Sequence, residues 1–197
     1  MTPVMASADQ LGEVFARRPK RADARRNYDA LIAAAQEVFG ESGAGASLEE
    51  IARRAGVGIG TLYRNFPKRL DLFEAVYVEE VRALSASAAD LADRPPWDAL
   101  VAWLHRFVAY VGTKRALAEE LVHDSAVFRS CRTEIYAAGE PLLRRAQEAG
   151  VARPDATFDD VVRLVSGIMA YQFPEPAQRD RVLAIALDGL RHLAAPR

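Results

Sequence analysis

The chain has 197 residues and a single cysteine, Cys131, so no disulfide framework forms within one chain and no multi-cysteine zinc site is available. Cys131 is either a small buried hydrophobe or an inert surface thiol. No apolar run approaches the roughly 20 residues that span a bilayer. The opening MTPVMASADQ has no charged start followed by an apolar stretch, so no secretory signal is expected. Only three histidines are present, His105, His123 and His192, and none stands at metal-ligand spacing from another. On a helical wheel His105 falls on the solvent side. A Gly-rich phosphate loop, a Cys/His pair and a Ser nucleophile motif are all missing, so neither a cofactor nor catalysis is expected. These traits fit a cytoplasmic protein that is not an enzyme.

What is present is apolar and helical. Half of the residues are hydrophobic and 27% are charged, enough for a folded core. Ala and Leu dominate, Gly and Pro fall at boundaries, and no period-2 strand stands out, which predicts an all-α fold. The net charge of -1 conceals an asymmetry. Residues 1–69 carry eleven Lys/Arg against eight Asp/Glu, a net +3, and residues 70–197 carry fifteen against nineteen, a net -4. Arg17, Arg18, Lys20, Arg21, Arg25 and Arg26 oppose only Asp23, a local +5. Alone, such a run is either a solvated tail or an arm attracted to phosphates.

Residues 1–23 read as a poorly ordered basic arm. A helix is expected over 24–40, where Tyr28, Leu31, Ile32, Ala35, Val38 and Phe39 form one apolar face. Gly43 and Gly45 then break it. Ser47-Leu48-Glu49-Glu50 is a capping-box pattern, in which the Ser47 hydroxyl bonds the third helical N–H and Glu50 reaches back. That short helix ends near Ala55, with Gly56 suited to a left-handed C-terminal position. After Gly58, IGTLYRNF supplies barely two turns. Two short helices around a glycine-containing turn are the layout of a helix-turn-helix, here over about 48–67. Leu62 and Phe66 are expected to pack inside it.

Pro67 is placed to open a long helix over 68–92, which Arg94-Pro95-Pro96 ends. Further helices are expected at 97–112, 114–124, 126–149, 157–173 and 177–194. In the first of these, Leu100, Trp103, Leu104, Phe107 and Val111 share a face with Tyr110 at its edge; such stripes are core or line a ligand cavity. Trp103, Phe107, Tyr110, His123, Phe128 and Tyr136 are the candidates for an effector pocket. The last two helices are apolar over about 200° of arc, against the roughly 100° of an ordinary surface helix. They need partners on two sides: one is the chain's own core, and the other is expected to be the same pair from a second chain.

The segments ALIAAAQEVFGESG and SLEEIARRAGVGIGTLYRNFPKRLDLFEAV resemble the DNA-binding domain of the TetR family of bacterial transcriptional regulators over about residues 24–76. The resemblance implies a DNA-binding domain over 24–70 and a helical effector-binding and dimerisation domain over 71–197. It implies a homodimer through helices 157–173 and 177–194, bound to double-stranded DNA at a near-palindromic operator. It implies a repressor released by an unidentified small-molecule effector. Ser47, Ile59, Gly60, Thr61, Tyr63, Arg64, Asn65 and Arg69 are then the candidate DNA contacts. The family usually has Lys where this chain has Arg69, which keeps the charge. It often has an acidic residue where this chain has Leu70, which questions the usual cap of the following helix. Ser47 serves either as a cap alone or also as a phosphate contact. Rival readings are an activator or ligand-independent regulator, a helical interaction module, and a small helical enzyme.

Placed before such a domain, the basic arm has phosphates within reach. Deleting residues 1–22 is expected to flatten the dependence of log Kd on log salt concentration by several units, measured by fluorescence anisotropy on duplex DNA. An unchanged slope would make the arm a solvated tail.

Overall fold

A computed structural model describes residues 19, 21–117 and 126–191. Among these the fold is all-α, with eight α-helices: α1 (Ala22–Ser42), α2 (Leu48–Arg54), α3 (Ile59–Asn65), α4 (Arg69–Ala86), α5 (Pro96–Leu117), α6 (Ala126–Glu148), α7 (Phe158–Ala170) and α8 (Pro176–Leu190). Short 3-10 turns cover Gly43–Gly45 and Ala89–Leu91. An isolated bridge between Ala152 and Arg191 is the only extended pairing among the described residues. Most of the expected basic arm, with His123 and His192, lies outside them. No described helix is long and apolar enough to cross a membrane.

The described residues form two compact units, those within 1–82 and 113–133, and those within 83–112 and 134–197. In the first, Leu31, Ala35 and Phe39 of α1 are fully buried, as the periodicity predicts. Phe39 stacks on Phe73 of α4 with ring centroids 4.3 Å apart. Gln36 donates to Glu80 (2.7 Å), joining the same two helices by a polar contact. Desolvation raises the Glu80 pKa above the ordinary carboxylate value. Of the two glycines expected to stop α1, only Gly43 has positive φ (59°), so the helix runs on through Gly40 to Ser42.

In the second unit, Trp103 is buried between Phe107 and Phe158, with centroids at 5.7 and 5.8 Å. Its indole N–H donates to the Leu84 carbonyl (3.2 Å), which the Ser87 hydroxyl also bonds (2.6 Å). Arg106 donates to Ser87 O (3.0 Å). The carbonyls that would extend α4 are thus engaged by side chains. The helix ends at Ala86 rather than reaching 92, and the chain tightens into the 3-10 turn. Arg145 holds the following loop through Ala92 O (2.9 Å) and Arg94 O (2.5 Å).

Helix α8 stops at Leu190 rather than 194, with Arg191 already extended, and three other boundaries depart from expectation. Helix α5 continues through Gly112 and Thr113 to Leu117, so no break separates 97–112 from 114–124; most of that second segment lies outside the described residues. One helical glycine costs about 1 kcal/mol, too little to stop a buried amphipathic helix. Helix α4 begins at Arg69 rather than at Pro67, because the Lys68 N–H is capped by Asp71 Oδ2 (2.9 Å). Asp71 thereby supplies the cap that Leu70 cannot. Helix α7 ends at Ala170, where Tyr171 is already extended. It opens with a reciprocal Thr157–Asp160 capping box that the sequence reading did not pick out, although the T-x-x-D pattern signals it.

Helices α7 and α8 bury only part of their apolar surface. Phe158, Val161 and Val165, with Leu183, Leu187 and Leu190, are buried. Leu164, Tyr171 and Ile185 stay 38%, 77% and 71% exposed. Leu164 on α7, Ile185 on α8 and Tyr171 just past the end of α7 are thus left uncovered.

Gly139 on α6 sits beneath the aromatic cluster. A Cβ there would fall 2.2 Å from Phe158 Cζ and 2.7 Å from Trp103 Cη2, rings that are themselves buried and cannot withdraw. Gly139→Ala is therefore expected to destabilise the fold by about 1–3 kcal/mol in urea unfolding followed by circular dichroism. Gly40→Ala, on an exposed helical site with nothing within 4 Å, is the control and should stabilise by about 0.5–1 kcal/mol. Equal effects of the two changes would contradict this packing.

Candidate nucleic-acid interface

Helices α2 and α3 are short, and each end has a physical cause. Ser47 Oγ accepts from Glu50 N (3.3 Å), as expected of a cap. The reciprocal half of the predicted box is not formed. Glu50 turns instead to Arg53 (2.7 and 2.8 Å) and Arg54 (2.7 Å), because two guanidiniums outbid one neutral amide for a carboxylate. Helix α2 ends in a Schellman motif, with Gly56 N bonded to Arg53 O (3.1 Å) and Val57 N to Ala52 O (3.0 Å). Gly56 has φ 68°, the left-handed conformation this motif requires. The chain then enters α3 at Gly58, whose carbonyl accepts from Thr61 N (2.8 Å) and Leu62 N (3.3 Å).

Leu62 and Phe66 are buried, and Phe66 packs on Tyr28 of α1 with centroids 5.0 Å apart. That burial turns the opposite face of α3 outward. Ile59 (38% exposed), Gly60, Tyr63 (47%) and Arg64 share the exposed arc, while Thr61 and Asn65 are half-buried on its flank. Arg64 bends back over the first turn, donating from Nε to Gly60 O (3.1 Å) and from Nη2 to Thr61 Oγ1 (3.2 Å). Asn65 Nδ2 donates to Thr61 O (2.8 Å).

The remaining candidates lie beside this face in the chain. Ser47 is exposed, and its own proton goes to Glu49 Oε2 (2.8 Å), which lowers the Glu49 pKa. Arg69 is half-buried at the start of α4, its guanidinium 5.1 Å from the Phe73 ring centroid. Lys68, not among the sequence candidates, is an exposed cation next to it. The Lys-Arg pair after Pro67 was the available signal.

A network that sequence reasoning did not anticipate ties α2 to α1. Arg54 bonds Glu41 through two nitrogens (2.7 and 2.8 Å) as well as Glu50. Its partners came from 13 and 4 residues away, and the larger separation has no periodic signature.

The effector-pocket candidates divide. Trp103, Phe107 and Tyr110 are buried along α5, and Phe107 and Tyr110 stack at 5.7 Å. Tyr136 is half-buried, edge-on to Phe158 at 5.3 Å, and its hydroxyl donates to Asp159 (2.5 Å), which also binds Arg163. Phe128 belongs to the other unit, where it stacks on Tyr77 at 4.5 Å. His123 lies outside the described residues. Cys131 is buried, and His105 is exposed as expected. No group of described residues is arranged to hold a metal ion.

With this geometry established, the similarities of the chain become informative. Residues 31–76 match the profile described as bacterial regulatory proteins, tetR family, and residues 95–192 match that of the transcriptional regulator SbtR-like C-terminal domain. A crystal structure of a TetR transcriptional regulator from Streptomyces coelicolor is 42% identical, covering 84% of this chain and 99% of that one, with a TM-score of 0.74. The HTH-type transcriptional activator FasR of Mycolicibacterium smegmatis is 32% identical over 166 residues, 84% of this chain and 68% of that protein. An HTH-type transcriptional regulator of Staphylococcus aureus is 31% identical over 83 residues, and the match spans only 44% of its length.

The Arg53 and Arg54 guanidiniums hold the Glu50 carboxyl down to about 2. A carboxylate whose folded pKa lies below its ordinary value of 4.5 stabilises the fold above that value and ceases to do so as pH falls toward 2. Glu50→Gln should therefore lower the thermal midpoint at neutral pH, with the gap to the parent closing on acidification. Because the pair is exposed, molar salt should shrink the gap as well. A gap independent of pH would show that Glu50 acts through something other than its charge.

Proposed function

The chain belongs to the tetR family of bacterial regulatory proteins, and on that footing we propose a homodimeric repressor that holds a near-palindromic operator and releases it on binding a small-molecule effector. The observation that carries the reading is the exposed face of α3, where Ile59, Tyr63 and Arg64 surround Gly60 opposite the buried Leu62. A helix so presented fits the major groove, with side chains at base edges and flanking cations on phosphates. In this reading Tyr63, Thr61, Asn65, Lys68 and Arg69 contact backbone or base. Ile59 meets a thymine methyl group, and Gly60 admits close backbone approach. Ser47 flanks them at the start of α2 and contacts phosphate once its proton leaves Glu49.

The uncovered Leu164, Tyr171 and Ile185 support dimerisation through α7 and α8. A two-fold dimer presents two copies of α3 to successive major grooves roughly 34–36 Å apart. We place the effector against Phe107 and Tyr110 of α5, with the Tyr136–Asp159 pair as the polar group; it has to open space there, because the Trp103–Phe158 end of the cluster is closed over Gly139. Release then follows if the effector prefers, by several kcal/mol, a state whose reading helices have the wrong separation. The likeness to FasR, named an activator, favours activation as the second reading.

Selection of full-length protein against a random duplex library, followed by anisotropy titration, tests the proposal. A near-palindrome bound at about 10⁻⁸ M or tighter at physiological salt is expected. The double change Leu164→Glu with Ile185→Glu should halve the mass seen by light scattering and abolish tight binding to the palindrome. Transcription from a template bearing the selected site separates repression from activation. No enriched sequence, or an unchanged mass, would overturn the corresponding part.

A further inference from the structure

Resting on the DNA-binding reading above, we propose that Arg64 is the base-reading side chain of α3 and that its target is a guanine in each half-site. The first residues of the helix, Ile59 and Gly60, carry no two-pronged donor, so a reader of base edges has to come from further along. Arg64 provides it by leaning toward the N-terminus, as long helical side chains do. The bonds from Nε to Gly60 O (3.1 Å) and from Nη2 to Thr61 Oγ1 (3.2 Å) hold one edge of the guanidinium against its own helix. A guanidinium has five N–H donors in a rigid plane. Two are used in this way. The two on Nη1 and the second on Nη2 have no partner among the described residues, and one from each nitrogen lies parallel along the outer end of the plane.

That outer edge is the pair of parallel donors that matches the O6 and N7 acceptors of guanine. Arg64 is itself exposed, and a Cβ at Gly60, one turn earlier, would meet nothing within 4 Å, so the backbone there is open to close approach. The other polar side chains of the helix are less suited. The Asn65 amide nitrogen is turned onto Thr61 O (2.8 Å), and Tyr63 offers a single hydroxyl. Because Arg64 is restrained before DNA arrives, less rotamer freedom is lost on contact. Thr61 is then a positioning residue for the fork.

The test selects sites from a random duplex library with the full-length parent and with Arg64→Lys, which keeps the charge but not the fork. The parent is expected to demand guanine at one position per half-site, and Arg64→Lys to lose that demand alone, at an unchanged salt slope. Replacing that guanine by 7-deazaguanine, which lacks the N7 acceptor, should weaken the parent by roughly five- to a hundred-fold and the variant by less than about twofold. The 7-deazaguanine measurement on the parent does not depend on how the variant folds. Identical motifs from both proteins, or a parent indifferent to 7-deazaguanine, would overturn the Arg64 assignment and leave DNA binding intact. A parent that enriches no sequence would remove the DNA-binding reading and this inference with it.

Discussion

Burial of Leu62 and Phe66 is the constraint on which the proposed interface depends. A helix of seven residues does not sustain itself in water, because the cost of its first turn is recovered over many more residues than α3 has. Its stability has to come from packing. Leu62 is fully buried and Phe66 lies against Tyr28, so the position of α3 is inherited from α1. The outward direction of Ile59, Tyr63 and Arg64 is a consequence of that inward pair rather than a property of the exposed residues themselves.

The ends of the elements follow a second rule, that backbone groups find partners. Gly56 closes α2 because only a left-handed residue lets two consecutive N–H groups turn back to the last carbonyls. Asp71 caps α4 from its third position, and Thr157 with Asp160 caps α7 from both directions. Where α4 stops, side-chain donors from Trp103 and Ser87 take the Leu84 carbonyl. Among the described residues no buried side-chain polar atom lacks a partner. In the second unit the aromatic cluster adds a steric rule, since Phe158 and Trp103 leave Gly139 no room for a side chain.

Much of this was legible in the chain. The faces of α1, the turn at Gly56 and the burial of Leu62 and Phe66 all follow from spacing within a few residues. Local chemistry of that kind is encoded by neighbours and so can be read in order. The readings that failed share a cause. The end of α4 depended on Trp103, 19 residues from Leu84, and the orientation of Glu50 depended on two arginines competing with the cap. The break expected near 113 is absent, and the packing of α5 overrides the weak local preference of Gly112.

By itself the sequence determined the all-α class, the helix-turn-helix layout, the family resemblance and the set of residues from which an interface is drawn. It did so through periodicity, capping residues and glycine placement, which act over one or two helical turns. Only the tertiary structure decided which edge of the Arg64 guanidinium is engaged, which apolar residues of α7 and α8 stay uncovered, and that Trp103 and Phe158 close over Gly139. Those outcomes depend on side-chain rotamers and on contacts between residues far apart in the chain, and no local pattern specifies either.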